Sequence, residues 1–426
     1  MSFRKQAPAI QNAVDFDLKL PAIQQFALDN NIPVYSIHGG TQDVIMIEFV
    51  FFAGNWYEEK NIIAAITNAL LKNGTKTKNA LAINEHFEFY GAYLNTHTYS
   101  ETATVTLHTL NKNLEYLLPV LAELFTDCIF PEEELKTYIK NAKQRLEVNL
   151  KKCDFVANRL IDEYIYGHNH PYGKYSTIAD FDAIEKNDLQ DFYKANYTNG
   201  KCMIFVAGKL PTNINNLLNK YFGNLPFNYN KELQKNYLPV CNKTKKHSII
   251  NDTDGVQNAI RIARSFPNKI HPDYNNAQIL NTILGGFFGS RLMKNIREDK
   301  GYTYGIHSFI QNHFHQTAWM ISTEAGKDVC NATIEEVYKE MKLLCNEPIS
   351  NDELFLVKNY LMGNLLSNQS GPFQVIAKWK SLILNNLKED FYYNSIHTIK
   401  TTNAKDLQEI ANKYLNPADF YELTVL

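Results

Sequence analysis

Two periods of hydrophobic and polar residues alternate along the chain. From Asp43 to Phe52 the residues are mostly aliphatic, β-branched or aromatic, and the run stops at Ala53-Gly54. Such a run predicts a long buried strand. Between Asn61 and Leu71 the period changes: Ile62, Ile63, Ile66, Leu70 and Leu71 recur at helical spacing, and Gly74 follows as a stop. Tyr93 to Leu110 returns to strand-like alternation, with Ala103, Val105 and Leu107 on one face. Leu114 to Phe125 predicts an apolar helix, in which Pro119 should impose a kink or a later start. Pro131 followed by Glu132, Glu133 and Glu134 opens another helix, since proline and acidic residues both suit a first turn. Met203 to Gly208 closes the first half as a strand.

The second half repeats this order. Ala259 to Ala263 reads as a short strand, Asn275 to Leu284 as a helix, Tyr304 to Ile321 as strands and Thr333 to Leu344 as an amphipathic helix. The helix start at Glu347-Pro348-Ile349-Ser350 matches the one before Leu135, so Leu354 is the counterpart of Leu135 and Gly301 that of Gly91. A repeat of half the chain implies duplicated domains rather than a solenoid, whose period is far shorter. Between the halves, Leu225 to His247 has two prolines, many polar residues and no periodicity. The expected organisation is therefore a first domain over 1–224, a linker over 225–247 and a second domain over 248–426. Strands mixed with helices without strict alternation favour an α+β fold, each domain a mainly antiparallel sheet packed with helices.

Composition narrows the function classes. The chain has 426 residues, 45% hydrophobic and 21% charged, with a formal net charge of −2. That length suits two domains of roughly 200 residues each. No basic stripe invites a nucleic acid, and the run Lys243-Thr244-Lys245-Lys246-His247 reads as a solvated linker edge. The six cysteines stand singly, outside the spacings of zinc knuckles or redox pairs, and read as free thiols of a reducing compartment. The N-terminus has no long apolar run, so a cytoplasmic protein without a secretory signal is expected.

Metal and nucleophile motifs are absent from the sequence. A peptidase helix places two histidines four residues apart with a glutamate between them, and no His-x-x-x-His or His-x-x-Glu-His occurs. His168 and His170, and His313 and His315, lie two apart and read as exposed loop histidines, while His86 between Glu85 and Glu88 reads as part of a solvated helix face. There is neither a Gly-x-Ser-x-Gly elbow nor a phosphate-binding loop, and Gly285-Gly286-Phe287-Phe288-Gly289 reads as a tight loop at a helix end.

Leu284 to Ser308 carries a specific likeness. Ser290-Arg291-Leu292 is followed by Arg297-Glu298-Asp299-Lys300-Gly301-Tyr302-Thr303-Tyr304. This resembles the second domain of the insulinase/pitrilysin family of zinc peptidases: a glycine-rich turn, Ser-Arg-Leu, Arg-Glu-x-Lys/Arg-Gly, then an aromatic residue and tyrosine. Four first-half segments resemble the family in order: Phe52 to Glu58, Lys72-Asn73-Gly74-Thr75, Gly91 to Thr98, and Tyr166 to Gly173. The resemblance implies the two-domain fold of the half-length, processing-peptidase type. It also implies a substrate-binding role for Arg297, on the peptide backbone, and for Tyr304, on the oxygen that gains charge.

The same resemblance exposes a departure. The family's zinc helix precedes Gly74-Thr75, and its first histidine, general-base glutamate and second histidine fall on Ala65, Asn68 and Ala69. Alanine offers no lone pair, and a neutral amide cannot take a proton from water. The third ligand falls near Gln144 or Arg145, and the nearby Glu147 alone cannot supply the three protein ligands of a catalytic zinc. With Arg297 and Tyr304 retained, the resemblance implies a non-catalytic, substrate-binding subunit that holds no cofactor itself. Its expected partner is a zinc-bearing homologue, in a heterodimer that cleaves peptides or small unfolded proteins; a homodimer is expected in isolation. A scaffold subunit is one alternative. An active enzyme with a relocated metal, using His313 and His315, is the other.

Overall fold

A computed structural model describes residues 11–232 and 235–426. Residues 1–10, on which much of the signal reading rests, and Leu233 and Gln234 of the expected linker lie outside the described residues. The first half runs β1 (Gln24–Ala27), β2 (Pro33–His38), β3 (Val44–Phe51), α1 (Ile63–Leu70), α2 (Ala80–Phe89), β4 (Tyr93–Thr98) and β5 (Ala103–Leu110). It continues with α3 (Leu114–Thr126), α4 (Glu132–Leu150), α5 (Cys153–Tyr166), α6 (Ile178–Asp182), α7 (Lys186–Tyr193), β6 (Cys202–Gly208) and α8 (Ile214–Phe222). The second half runs β7 (Lys246–Ile249), β8 (Gln257–Phe266), α9 (Tyr274–Asn281), β9 (Ile306–Asn312), β10 (Thr317–Gly326) and α10 (Cys330–Asn346). After it come α11 (Asn351–Ser367), α12 (Pro372–Leu384), α13 (Glu389–Thr401), α14 (Ala404–Tyr414) and β11 (Tyr421–Val425).

Sheet topology makes the duplication explicit. The first sheet has the order β1-β2-β6-β3-β5-β4 and the second β7-β11-β8-β10-β9. Apart from the added edge strand β1, the two orders are the same. The parallel pair β2/β6 is matched by β7/β11, and the antiparallel pairs β3/β6 and β4/β5 by β8/β11 and β9/β10. Both are mainly antiparallel sheets packed with helices, the α+β arrangement expected. Gly91 and Gly301 agree to the level of backbone: both adopt a left-handed φ, +60° and +67°.

The chain divides into two compact units. One comprises Ala22–Ala263, Gly371–Ser381 and Tyr421–Leu426; the other comprises Arg264–Ser370, Leu382–Phe420 and the chain up to Pro21. Within the first unit, β3 is buried over nearly its whole length, so both sheet faces are covered. On one face Ile45, Ile47, Phe49 and Phe51 join the core with Val105, Leu107, Leu121 and Phe125. On the other, Glu48 accepts from Lys380 of α12 at 2.6 Å, and His108 lies edge-on to Phe373. A lone buried carboxylate would be costly, and the lysine offsets that cost.

Pro119 does not delay α3, which starts at Leu114 and continues through it to Thr126. The carbonyl its missing N–H leaves free is that of Glu115, and the Tyr221 hydroxyl donates to it at 3.5 Å. The basic run is no solvated edge at its end either. Lys245 sits 3.6 Å over the Tyr421 ring, His247 stacks on Tyr164 at 3.9 Å, and Lys246 and His247 belong to β7. The strand expected at Ala259–Ala263 extends over ten residues. No disulfide joins any of the six cysteines. Among the described residues no helix is long and apolar enough to cross a membrane.

Candidate functional site

α1 carries Ala65, Asn68 and Ala69. Its start is built by an unusual local device: Ile62, the residue before the helix, has φ +68°, a left-handed conformation that a β-branched residue rarely adopts. The buried Glu58 carboxylate compensates by accepting from the Ala64 N–H at 3.2 Å and pairing with Lys174 at 2.6 Å. Burial pushes the Glu58 pKa up, and Lys174 only partly offsets it.

The helix presents Ala65 to solvent and leaves Ala69 half-buried one turn on, while Asn68 is buried. Asn68 Nδ2 donates to Thr98 Oγ1 on β4 at 3.2 Å, so its amide ties the helix to the sheet. Two methyl groups and a neutral amide give zinc no ligand, and the site does not fit the ion. On α4, Gln144 and Arg145 line an open groove of about 720 Å³ with Tyr138, Asn141, Val148 and Asn149, and Glu147 is exposed. His313 and His315 fall in the turn between β9 and β10. Among the described residues no cluster of three or more His, Cys, Asp or Glu side chains could hold a metal ion.

Two motifs far apart in sequence meet beside α1. Asn55 Nδ2 donates to the Pro171 carbonyl at 2.8 Å, and Trp56 packs on Tyr172 at 5.0 Å between ring centroids. His170 is not an exposed loop histidine but only 3% exposed, stacked on Tyr166 and edge-on to Trp56. Its Nδ1 accepts from the Tyr172 N–H at 3.1 Å, which fixes the ring in the cluster. Gly54 is required here, because a Cβ would lie 2.4 Å from the carbonyl oxygens of Tyr99 and Ser100. His86 on α2 is half-buried rather than fully solvated, edge-on to Tyr90 and with Nε2 2.9 Å from the Tyr116 carbonyl. The burial of His170 escaped sequence reading because Trp56, which packs against its ring, lies more than a hundred residues earlier in the chain.

In the second unit the structure brings Arg297 and Tyr304 together. Arg297 Cζ lies 5.5 Å from the Tyr304 ring centroid and 4.7 Å from that of Phe288. Tyr304 is 91% exposed and Phe288 61%. The turn that carries Tyr304 is fixed from behind: Thr303 Oγ1 lies 2.8 Å from Thr323 Oγ1 and donates to the Glu324 carbonyl at 2.6 Å. Two nearby cations are neutralised. Arg291 makes a two-pronged pair with Glu353, both bonds 2.8 Å, and Lys300 pairs with Glu336 at 3.2 Å. Among the described residues Arg297 has no carboxylate partner. A cation left unneutralised beside an exposed phenol can take a carbonyl or carboxylate from outside. Resemblance to the family motif pointed to Arg297 and Tyr304, but Phe288 was read only as part of a tight loop.

Comparison with known proteins bears on both sites. Residues 34–172 match the family model described as insulinase (peptidase family M16), and residues 183–361 match peptidase M16 inactive domain. An uncharacterised zinc protease, YmxG, from Bacillus subtilis is 24% identical over 81% of this chain and 84% of its own length. A non-peptidase homologue, YmxG, from Helicobacter pylori is 24% identical over 75% of this chain and 74% of its own. A probable mitochondrial-processing peptidase subunit beta from Schizosaccharomyces pombe is 23% identical over 63% and 60%. Among solved structures, a peptidase M16 inactive domain from Pseudomonas fluorescens superposes with a TM-score of 0.86, 22% identity and coverage of 95% and 98%.

Proposed function

Because the chain belongs to the insulinase family, peptidase family M16, we propose that it acts as a non-catalytic, substrate-binding subunit of a zinc-dependent peptidase. The zinc and the general base come from a homologous partner chain, and the substrate is a peptide or small unfolded protein. One contrast carries this reading. α1 offers Ala65, Asn68 and Ala69 where a zinc helix needs two ligands and a base, while Arg297 stays unneutralised beside the exposed Tyr304. Decay would remove any reason to keep a bare guanidinium at the surface, whereas a shared active site uses it on the substrate. The relatives whose names are a non-peptidase homologue and a processing-peptidase subunit support the same division of labour.

Co-expression with a zinc-bearing family member of similar length, followed by affinity purification and cleavage of a quenched fluorescent peptide, tests the proposal. The expected result is co-purification and an activity far above that of either chain alone. Arg297→Ala in this chain then lowers the activity of the pair at least tenfold, the loss of one charged hydrogen bond in the transition state. A mixture no more active than the zinc-bearing chain alone refutes it.

A further inference from the structure

Phe288 is a large apolar side chain standing mostly in solvent, in a loop bounded by Gly285, Gly286 and Gly289. Burial gives no reason for it. The neighbouring Phe287 shows how the loop aims it. Phe287 has extended backbone, φ −156° and ψ 172°, so the two rings leave the chain in opposite directions. The Phe287 ring stacks on Tyr360 of α11, centroids 4.7 Å apart. Gly289 leaves room for it, since a Cβ there would lie 2.8 Å from the Phe287 ring. With Phe287 anchored on one side, Phe288 is delivered to the other, over the Arg297 guanidinium at 4.7 Å.

A guanidinium at a surface is held in one of two ways. A carboxylate holds Arg291, and its charge is spent on Glu353. Aromatic faces hold Arg297: the ring quadrupoles attract the cation without a counter-charge and leave its N–H edge open. Arginine loses much rotamer freedom when fixed, so an unheld Arg297 would lose affinity for whatever it contacts.

We infer that Phe288 is the positioning residue for Arg297: with Tyr304 it holds the guanidinium ready for an incoming peptide carbonyl or carboxylate while keeping its charge unspent. This rests on the reading of Arg297 as a substrate contact.

Binding of a fluorescein-labelled, unfolded 25-residue peptide to the full chain, followed by fluorescence anisotropy, tests the inference. Arg297→Ala weakens binding at least tenfold. Phe288→Ala weakens it about two- to fivefold, the size of an exposed cation–π contact, and Phe288→Tyr, which keeps the ring face, restores it. In an Arg297→Ala background Phe288→Ala has no further effect, because a positioning residue acts only through the group it holds. The ring-current shift of the Arg297 Nε–H proton falls in Phe288→Ala, where the Tyr304 ring alone remains, and returns in Phe288→Tyr. If Arg297→Ala weakens binding and Phe288→Ala does not, the positioning role falls and the proposed function stands. Additive losses in the double variant overturn it too, since Phe288 would then touch the peptide itself. If Arg297→Ala leaves binding unchanged, both readings fall.

Discussion

Arg261 on β8 is fully buried, and it is held from α5 within the same unit: Nε donates to Asn158 Oδ1 at 2.8 Å, and Nη2 pairs with the Asp154 carboxylate. Its Nη1 also donates to the Ile260 carbonyl at 2.9 Å. The two partners differ in exposure: the Arg261 side chain is 1% exposed and that of Asp154 51%. The pair should therefore respond asymmetrically. Asp154→Ala takes the carboxylate away from a buried guanidinium, a loss of ~3–5 kcal/mol for a broken buried pair. Water that enters beside the half-exposed Asp154 position draws the expectation to the lower end, ~3 kcal/mol. Arg261→Met removes the buried charge itself, fills similar volume, and frees a carboxylate that water already reaches, so its cost stays within ~1 kcal/mol. Hydrogen exchange by mass spectrometry on peptides from Cys153–Tyr166 and Gln257–Phe266 reads this locally. Asp154→Ala should speed exchange about a hundredfold, since each ~1.4 kcal/mol is a factor of ten. Arg261→Met should change it less than about tenfold. Equal effects of the two substitutions, or a small effect of Asp154→Ala, would refute the reasoning.

Three further outcomes follow from the structure. The double substitution Ala65→His and Ala69→His puts two imidazoles one turn apart on the open side of α1 and should create measurable cobalt binding in a spectroscopic titration; an unchanged spectrum would mean the two positions do not share an accessible face. Glu123 is pulled up by partial burial, but hydrogen bonds from Thr75, Thr77 and Lys78 outweigh that and hold it down at about 2. Its contribution is thus fully present above the ordinary 4.5 and is lost as pH falls through about 2; thermal melts between those limits should show Glu123→Gln with a flatter acid limb than the parent. Gly54→Ala forces a Cβ to within 2.4 Å of two carbonyl oxygens and should cost more than ~2 kcal/mol, and a melting temperature within a degree of the parent would contradict it.

Much of the fold was legible because it depends on local period. β3, α1, β6 and α10 follow directly from their apolar spacing, and the half-chain repeat is visible in Leu135 with Leu354 and Gly91 with Gly301. Misread positions share a cause: their partners are distant in the chain. Pro119 sits in an unbroken helix with Tyr221 donating to the carbonyl it leaves free, His170 packs against Trp56, and Lys245 lies on Tyr421. None of these pairs leaves a mark on spacing.

At the candidate sites the division is equally physical. Residue identity settled what α1 cannot do, because the coordinating chemistry of Ala65 and Ala69 and the basicity of Asn68 belong to the side chains themselves. It also singled out Arg297 and Tyr304 by motif. Only the tertiary structure decided the state of that arginine, since whether a guanidinium is neutralised, as Arg291 is by Glu353, or held bare between aromatic rings, as Arg297 is by Phe288 and Tyr304, depends on what folds beside it.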